Sequence, residues 1–295
     1  MFDIRQSESY AKYLKSLGWT VERVAEINYF IKKMPFLGSI LKLQRPEEIR
    51  MDTVNKLCRK YGVYQIIIEP KSDLDARYLE SSGFKLAKTT YLPSKTLQID
   101  LTQPKAEILR HFKKDARQAI KKGGSIKTAE YSTPEEIKTF REEWINSVKL
   151  RRYVPSAEQL IKLKKSFPQS HSLFLASHNI VSRIIGGVIF TTSSHDKSNY
   201  ITYYWQAFTN KEGRTSLAQY ALLWQGILWA KKNGYKVFDF EGIYDPRFPN
   251  KSWLGFTHFK HSFGGYEVIY PGCYTKNRLF KKIWRIKLQK DRNLK

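Results

Sequence analysis

Apolar positions along this chain follow two different periods, one typical of helices and one typical of strands. Within residues 104–122, Ile108, Phe112, Ala116 and Ile120 recur every fourth position, which places one apolar stripe along a helix. The segments "YQIIIEP" and "KVFDFEG" are instead short runs rich in β-branched and aromatic residues, a composition typical of buried strands. The pattern predicts a mixed α/β protein in which helices and strands alternate.

One helix–glycine–strand pattern occurs twice. In "VNKLCRKYGVYQIIIEP" Gly62 follows a predicted helix, and in "GILWAKKNGYKVFDFEG" Gly234 does the same. Glycine is favoured just after a helix, and basic residues are favoured in its last turn. Each glycine is followed seven residues later by a glutamate, Glu69 or Glu241. We therefore expect two copies of one α/β unit, with chance similarity of two such segments as the alternative.

The first copy is expected over residues 1–125 and the second over 126–275, followed by a basic tail over 276–295. The elements predicted for the first copy are a helix near 7–17, extended segments at 19–30 and 39–44, a helix from Pro46, the "IIIEP" strand, a short helix, strands near 84–91 and 96–101, and a basic linking helix over 104–122.

The second copy begins with two helix-start signals. Thr133 with Glu136, and Ser156 with Gln159, have the spacing of a capping box. Three β-rich stretches, a long helix, a strand, a loop and "GGYEVIYPG" follow. This is the element order of an acyl-CoA N-acyltransferase (GNAT) domain. The predicted fold class is therefore α/β with mixed sheets, arranged as two tandem GNAT-like domains.

Charge narrows the classes of partner. The 295 residues include 52 Lys and Arg against 27 Asp and Glu, a net charge of +25, which implies a polyanionic partner such as nucleic acid, an anionic membrane or a phosphorylated substrate. Cys58 and Cys273 stand in unrelated contexts, which favours a reducing compartment over a disulfide framework. A signal-peptide pattern and an apolar run of about 18 residues are both missing, so we expect a cytoplasmic location.

Two basic segments are candidate anion-binding surfaces. The polar face of the linking helix carries Arg110, Lys113, Lys114, Arg117, Lys121 and Lys122. It is either an anion-binding face or simply a solvated face. The tail "KNRLFKKIWRIKLQKDRNLK" combines aromatic and basic residues, which is typical of a helix on a membrane surface; a terminal helix packed on the domain is the alternative. His258 and His261 form an isolated pair with no third ligand, so no metal site is expected.

Four segments carry a family resemblance: "IKKMPFLGSILKLQRPEE", "LRHFKKDARQAIKKGG", "YYWQAFTNKEGRTSLAQYALLWQGILWAKKNGYKVFDFEGI" and "FTHFKHSFGGYEVIYPG". The last is close to a Phe-Lys-x-x-Phe-Gly-Gly signature. Together they make the chain similar, over nearly its whole length, to the Fem family of peptidoglycan-bridge aminoacyltransferases. It resembles the shorter members, because the helical arm that others insert in the second domain is missing. Gln44-Arg45-Pro46 stands where members often have Arg-Gly-Pro, which leaves the role of Arg45 open.

The resemblance implies a reaction and its partners. Fem proteins are tandem acetyltransferase-like domains that move an amino acid from aminoacyl-tRNA to the stem peptide of a cell-wall precursor. For this chain it implies an aminoacyltransferase that uses aminoacyl-tRNA as co-substrate, needs no cofactor and acts as a monomer. The acceptor would be UDP-MurNAc-pentapeptide or the lipid-linked precursor lipid II. In the second case, the basic tail would contact the inner face of the membrane.

The resemblance also implies site residues. Aminolysis of an ester requires an acceptor amine held in line and stabilisation of the oxyanion. Lys260, with Phe259 before it and Gly264-Gly265 after it, is expected to supply the oxyanion-side cation; a solvent-facing helix lysine is the alternative. The other expected groups are Lys33 and Arg151 for phosphates, Tyr91, Tyr153 and Tyr204 for base or sugar (Tyr204 also fits a core position), Gly264 and Gly265 for close approach of the backbone, and Lys113, Lys114, Arg117, Lys121 and Lys122 for tRNA.

Two other functions fit part of the sequence. An acetyl-CoA-dependent N-acetyltransferase needs a glycine-rich loop to bind the pyrophosphate, but in "NKEGRTS" Asn210 and Thr215 break that pattern around Gly213. A non-catalytic RNA-binding protein needs only the basic surfaces. In that case Lys260 is dispensable. No general base is identified; Asp239 and Glu241 alternate along a strand and are expected to face the cleft or a loop amide, and Asp245 is expected in a turn.

Overall fold

The structure is a computed structural model that describes residues 2–148, 152–167, 169–193 and 200–278. The chain divides into two compact units. The larger unit consists of Met1–Leu17 and Pro93–Ile269. The smaller unit consists of Gly18–Leu92 and the described residues from Tyr270 onward.

The helices and strands are numbered in chain order. The α-helices are α1 (Glu8–Ser16), α2 (Met51–Lys60), α3 (Asp73–Ser81), α4 (Lys105–Arg110), α5 (Lys114–Lys122), α6 (Pro134–Val148), α7 (Ala157–Ser166), α8 (Lys211–Thr215), α9 (Ala218–Lys232) and α10 (Leu254–His261). The strands are β1 (Thr20–Val24), β2 (Ile27–Met34), β3 (Gly38–Gln44), β4 (Val63–Glu69), β5 (Lys85–Leu86), β6 (Lys95–Asp100), β7 (Lys127–Glu130), β8 (Ser172–His178), β9 (Ile184–Thr192), β10 (Ile201–Thr209), β11 (Val237–Asp239), β12 (Tyr266–Ile269) and β13 (Tyr274–Asn277).

The smaller unit is a six-stranded sheet in the order β1-β2-β3-β4-β13-β5. Strands β1 to β3 form an antiparallel meander, and β3 runs parallel to β4 until Gln44 faces Glu69. Helices α2 and α3 bury their apolar faces against one side of the sheet, where Leu41, Ile66 and Ile68 join the core. Alternation along each strand therefore separates this core face from a second face that carries Lys32 and Lys42.

The larger unit is a seven-stranded sheet in the order β12-β6-β11-β10-β9-β8-β7. Its two faces are both covered. One face packs against the α4–α5 segment and α9. There Ile108, Phe112 and Ile227 contact a core that includes Phe190 and Phe238. On the other face, side chains of α6, α7 and the N-terminal segment form a separate core, which includes Ile4, Phe140, Leu160 and Tyr203. Because α/β/α layering buries both faces, strands such as β9 are apolar along most of their length.

The predicted α/β fold class with mixed sheets is confirmed. The repeated pattern also appears as expected, because Gly62 follows α2 with φ +57° and Gly234 follows α9 with φ +83°. Both predicted capping boxes form. Thr133 Oγ1 accepts a hydrogen bond from the backbone N–H of Glu136, and the Glu136 carboxylate accepts one from the backbone N–H of Thr133. Ser156 and Gln159 make the same pair of bonds.

The units differ from the predicted domain boundaries at 125 and 275. Helix α1, strand β6 and helices α4 and α5 lie in the larger unit, although they precede residue 125. Strand β13 completes the smaller sheet beside β4, although it lies near the C-terminal end of the chain. Each sheet thus takes one strand from the other half of the chain, and alternation within a strand does not specify its partner sheet. Most of the predicted tail, residues 279–295, lies outside the described residues.

The linking helix predicted over 104–122 is wrong as a single helix. It is interrupted between α4 and α5, where a guanidinium N–H of Arg117 donates to the carbonyl oxygens of Arg110 and Phe112. These bonds satisfy carbonyls that a helix end leaves free. The apolar stripe is nevertheless packed against the core as predicted. Two other bounds were misplaced, since the helix expected from Pro46 begins at Met51 and the strand expected near 84–91 covers two residues.

Candidate active site

Strands β10 and β11 of the larger unit diverge, and the gap between them forms a cleft. The two parallel strands pair from Ile201 with Val237 to Tyr203 with Asp239, and β10 then continues to Thr209 without β11 beside it. A register shift in the pairing of β10 with β9 lies between Tyr204 and Gln206, at the point of divergence. In the smaller unit the corresponding pair, β3 and β4, stays paired to its last residues. The open parallel pair therefore belongs to the larger unit.

The cleft has two adjoining chambers of about 1030 and 290 Å³. Both are lined by Arg152, Tyr204, Ala207, Phe256 and Phe259. The larger chamber also has Lys211 and Arg214 in its wall, and its described lining residues include no carboxylate. In the smaller chamber Glu241 and Lys260 line the same wall. The larger chamber is thus cationic and aromatic, whereas the smaller one contains both signs of charge.

Lys260 lies in the last turn of α10 and is 6% exposed. Its Nζ donates to the carbonyl oxygens of Phe240, at 2.6 Å, and Gly242, at 2.5 Å. Burial lowers the pKa of Lys260 to about 8, although Glu241 and Asp239 act in the opposite direction. The alternative of a solvent-facing lysine is therefore wrong. Lys260 instead connects α10 to the turn that follows β11.

That turn places Glu241 beside Lys260. Glu241 has φ +53°, a left-handed conformation that is uncommon for a residue with a side chain. Its carboxylate oxygens accept from Nη1 and Nη2 of Arg5, at 2.8 and 2.7 Å. The Arg5 guanidinium lies 5.2 Å from the ring centroid of Trp205, near enough for a cation–π contact. The strained turn is therefore held by two cations, Lys260 on its carbonyls and Arg5 on its carboxylate.

Asp239 is buried beneath the same turn and is 1% exposed. One carboxylate oxygen accepts from Thr96 Oγ1 and from the backbone N–H of Glu241, and the other accepts from Gln98 Nε2 at 2.7 Å. Burial, with a smaller effect from Glu241, raises the pKa of Asp239. The expectation that this carboxylate faces a loop amide is confirmed. Asp245 lies in a turn, as expected, and binds Arg247 and Ser94.

Several predicted residues converge on the cleft. Phe259 is half-buried in its wall and packs edge-on against Tyr220, with ring centroids 4.8 Å apart. The Tyr204 hydroxyl accepts from Gln219 Nε2, and its ring both lines the cleft and packs on the core. Tyr153 is 73% exposed at the rim and donates to Gln159. Lys260, Phe259, Tyr204 and Tyr153 are thus brought together.

Arg152 is a cleft residue that the sequence patterns did not single out. It lines both chambers, donates to the carbonyl oxygen of Ala207 and lies 5.7 Å from the ring centroid of Trp144. Burial lowers its pKa from the usual value. The predicted phosphate ligand Arg151 lies outside the described residues. The segment "LRRY" contains both arginines, but it carries no periodic signal that distinguishes them.

Lys33 and Tyr91, both in the smaller unit, do not meet within it. Lys33 lines a pocket of about 410 Å³ together with Lys60 and Tyr61. Tyr91 instead packs on Lys42, with Nζ 4.0 Å from the ring centroid. Phe30 faces Lys42 in the register of β2 and β3, so Lys33 projects from the opposite side of the sheet. Their role in binding the precursor stays a prediction.

Gly264 and Gly265 have a structural reason for lacking a side chain. Their φ angles are +66° and +92°. A Cβ at Gly264 would lie 2.6 Å from the carbonyl oxygen of His111, and one at Gly265 would lie 2.3 Å from that of Gln98. The close approach that they permit in this structure is to the chain's own backbone. Contact of this turn with a substrate stays a prediction.

The basic residues of the α4–α5 segment divide into two groups. Lys113, Lys114, Lys121 and Lys122 are exposed. Arg110 and Arg117 are exposed as well, but Arg117 also donates to the end of α4, and Arg110 pairs with Glu107 at 2.7 Å. Contact of this surface with tRNA stays a prediction.

The turn that an acetyl-CoA enzyme would use is occupied by the chain itself. Asn210 Oδ1 accepts from the backbone N–H of Gly213 at 2.8 Å and so caps α8. A Cβ at Gly213 would lie 2.1 Å from the carbonyl oxygen of Ile185, which shows how closely this turn packs on β9. The Gly213 amide is therefore already bonded within the protein.

The described part of the chain lacks both a metal-binding cluster and a membrane-spanning helix. It contains no cluster of three His, Cys, Asp or Glu residues placed to bind a metal ion. Its helices are all too short or too polar to cross a lipid bilayer.

Comparison with known proteins shows the fold. No family model and no curated protein matches this sequence. The structure is similar to that of FemX, with a TM-score of 0.78, 15% identity, and 96% of this chain and 94% of that chain covered. The C-terminal domain (DUF2156) of a putative lysylphosphatidylglycerol synthetase from Agrobacterium fabrum has a TM-score of 0.60, 12% identity and coverages of 97% and 92%. A tandem GNAT protein from the clavulanic acid biosynthesis pathway has a TM-score of 0.52, 8% identity and coverages of 85% and 82%. The expected tandem GNAT-like fold, shared with FemX, is confirmed.

Proposed function

We propose that this protein is an aminoacyltransferase that moves an amino acid from aminoacyl-tRNA to the stem-peptide amine of a peptidoglycan precursor. The observation that carries the proposal is Lys260, a buried cation held by two carbonyls in the wall of the cleft between β10 and β11. The resemblance of "FTHFKHSFGGYEVIYPG" to the Fem signature supplies the substrate classes. The fold shared with FemX is consistent with them.

The reaction is the attack of an amine on an ester carbonyl. It needs a cation or hydrogen-bond donor where the carbonyl oxygen becomes negative. Lys260 has two Nζ substituent positions directed at Phe240 and Gly242, and it lines the smaller chamber. Its protonated form therefore has a third N–H for an oxyanion in that chamber. Phe259, adjacent in the wall, would exclude water from the ester.

The larger chamber is suited to the single-stranded end of an RNA. Its wall combines Arg152, Lys211 and Arg214 with the rings of Tyr204 and Tyr220. Proteins bind single strands through cationic grooves that hold phosphates and aromatic rings on which bases stack. We assign the ester-bearing end of the tRNA to this chamber, and its helical part to the exposed lysines of α5 and its N-terminal flank.

The two alternatives fit the structure less well. For an acetyl-CoA enzyme, the amide of Gly213 would have to release Asn210 before it could bind pyrophosphate. In a non-catalytic RNA-binding protein, Lys260 would serve only to hold the turn after β11, and burying a cation for that purpose costs free energy that surface charges avoid.

The test is transfer measured by mass spectrometry. The protein is mixed with charged tRNAs and, in separate reactions, with UDP-MurNAc-pentapeptide, lipid II or phosphatidylglycerol vesicles. A mass gain of one amino-acid residue on either peptide acceptor is the expected result. A gain on phosphatidylglycerol alone would replace the peptide acceptor with a lipid. No gain on any acceptor, with tRNA still bound, would favour the non-catalytic alternative.

A further inference from the structure

We infer that Lys260 is also the general base of the transfer, its neutral amine taking a proton from the acceptor ammonium before that nitrogen attacks the ester. This inference rests on the proposed function and adds a role to the same side chain. An acceptor amine on a stem peptide is mainly protonated near neutral pH, so some group has to remove a proton before attack can occur.

The geometry around Nζ favours this role. A neutral lysine amine has two N–H donors and one lone pair in a tetrahedral arrangement. The carbonyl oxygens of Phe240 and Gly242 can only accept, so both N–H groups point at them, at 2.6 and 2.5 Å. The remaining tetrahedral position carries the lone pair, and Lys260 lines the smaller chamber. The two carbonyls therefore aim one Nζ position away from the turn in either protonation state.

The surroundings make a substantial neutral fraction of the amine accessible near physiological pH, although the protonated form is still the larger one. Lys260 is 6% exposed, and burial lowers its pKa to about 8. The groups that face it from other elements are Asp239 and Glu241 at the end of β11, Tyr204 on β10, and Arg152 and Tyr153 before α7; His258 and His261 lie on its own helix.

The two carboxylates near Lys260 are already engaged. Both oxygens of Glu241 accept from Arg5, and both oxygens of Asp239 accept hydrogen bonds beneath the turn. A carboxylate in a bidentate ion pair is a poor proton acceptor, because the pairing stabilises its charged form. Among the described residues that line the smaller chamber, Lys260 is therefore the best placed base.

Lys260 can then carry out each proton transfer of the reaction. Neutral Lys260 accepts a proton from the acceptor ammonium, and the freed amine forms a C–N bond with the ester carbonyl carbon. The protonated lysine faces the oxyanion of the tetrahedral intermediate. When the C–O bond to the ribose breaks, the leaving oxygen takes the proton from Lys260. The new amide nitrogen gives its extra proton to the lysine, which releases it to water.

The substitution Lys260→Arg separates the two roles. Arginine keeps a cation and several donors, but it does not release its proton in proteins. If Lys260 is a base, Lys260→Arg and Lys260→Ala both lower kcat/KM on the order of 100- to 10,000-fold. Wild-type kcat/KM should rise with pH through a midpoint near 8 and level off above it. In both variants it should rise without that plateau.

A second measurement does not depend on activity. In the wild-type protein with ¹³Cε-labelled lysine, one resonance should titrate with a midpoint near 8 instead of 10.5, and Lys260→Arg should remove it. The inference is overturned if Lys260→Arg keeps activity within about tenfold of wild type, a loss far smaller than that of a general base. A midpoint near 10.5 for every lysine would also overturn it. If the unsubstituted protein transfers nothing to any acceptor, the proposed function itself fails, and the base role fails with it.

Discussion

Arg5 and Glu241 form an ion pair across 236 positions of the chain, at the wall of the cleft. Arg5 is 2% exposed, so its charge is compensated inside the protein by Glu241 and Asp3. This pair fixes the carboxylate next to Lys260, and with it the left-handed turn. The N-terminal segment is therefore part of the site's framework.

Removal of one partner should leave a buried charge uncompensated. We expect Arg5→Met to lower the free energy of unfolding by about 3–5 kcal/mol. The double variant Arg5→Met with Glu241→Gln should lose less, because only one of the two carboxylates that face Arg5, that of Asp3, then keeps its charge. Urea unfolding followed by tryptophan fluorescence measures both. An equal loss in the single and double variants would show that packing, and not charge, sets the cost.

Two glycines, one in the Gly264-Gly265 turn and one in α10, allow a matched comparison. Gly265→Ala combines a positive φ with a Cβ 2.3 Å from a carbonyl oxygen, so we expect a loss of at least about 2 kcal/mol in unfolding free energy. Gly255 lies in α10, and no neighbouring atom comes within 4 Å of the position that an added Cβ would take. Gly255→Ala should stabilise by about 0.5–1 kcal/mol. Thermal unfolding of the two variants should therefore shift in opposite directions.

The sequence located part of the site and not the rest. Lys260 and Phe259 lie in one short motif, and its resemblance to the Fem signature can be recognised from that segment alone. Arg5, Arg152 and Lys42 carry no such signal, since each acquires its role from contacts made by distant parts of the chain. Hydrophobic periodicity records which side of an element is buried, but it does not record which polar residues meet.

At the scale of elements, α4 and α5 show that an apolar stripe can continue where the helix itself is interrupted. Ile108, Phe112 and Ala116 are buried as the four-residue spacing predicts, yet the helix stops between the first two and resumes after Lys113. The spacing persists because both short helices pack on the same core. The break gives Arg117 a structural role on the carbonyls of α4.

The four exposed lysines of this segment provide a test of RNA contact. Replacement of Lys113, Lys114, Lys121 and Lys122 by glutamine should weaken tRNA binding and reduce the slope of log K against log salt by roughly three. The control replaces Lys12, Lys15, Lys165 and Lys232, which are also exposed and also lower the net charge by four. Filter binding over a series of salt concentrations compares the two sets. An equal change in both would mean that net charge alone attracts the RNA.

At the scale of the whole molecule, the two sheets are interleaved in sequence. Strand β6 lies beside β11 in the larger unit, and β13 lies beside β4 in the smaller one. The tandem repeat was visible in the sequence because each copy keeps its own helix–glycine–strand pattern. The placement of β6 in the larger sheet and of β13 in the smaller one was not visible in the sequence, because the side-chain patterns of these strands suit either sheet.

A chain that ends at Ile269 lacks β13 and should lose the smaller sheet. Removal of this strand exposes the edges of β4 and β5 to solvent. Hydrogen exchange measured by mass spectrometry should show loss of protection in β4 with β8–β10 still protected. A chain that ends at Arg278 keeps the strand and serves as the control. Unchanged protection of β4 in the shorter chain would contradict this prediction.

The position of β13 also matters while the protein is being made. Leu92 leaves the ribosome about 185 residues before Asn277, which ends the strand that the smaller sheet requires. At about 5–20 residues per second, this interval is on the order of 10–40 s, far longer than most single domains need to fold. The part of the smaller sheet formed by residues 18–92 therefore lacks β13 until synthesis is nearly finished. Nascent chains of this protein should depend on chaperones that shield strand edges during that interval.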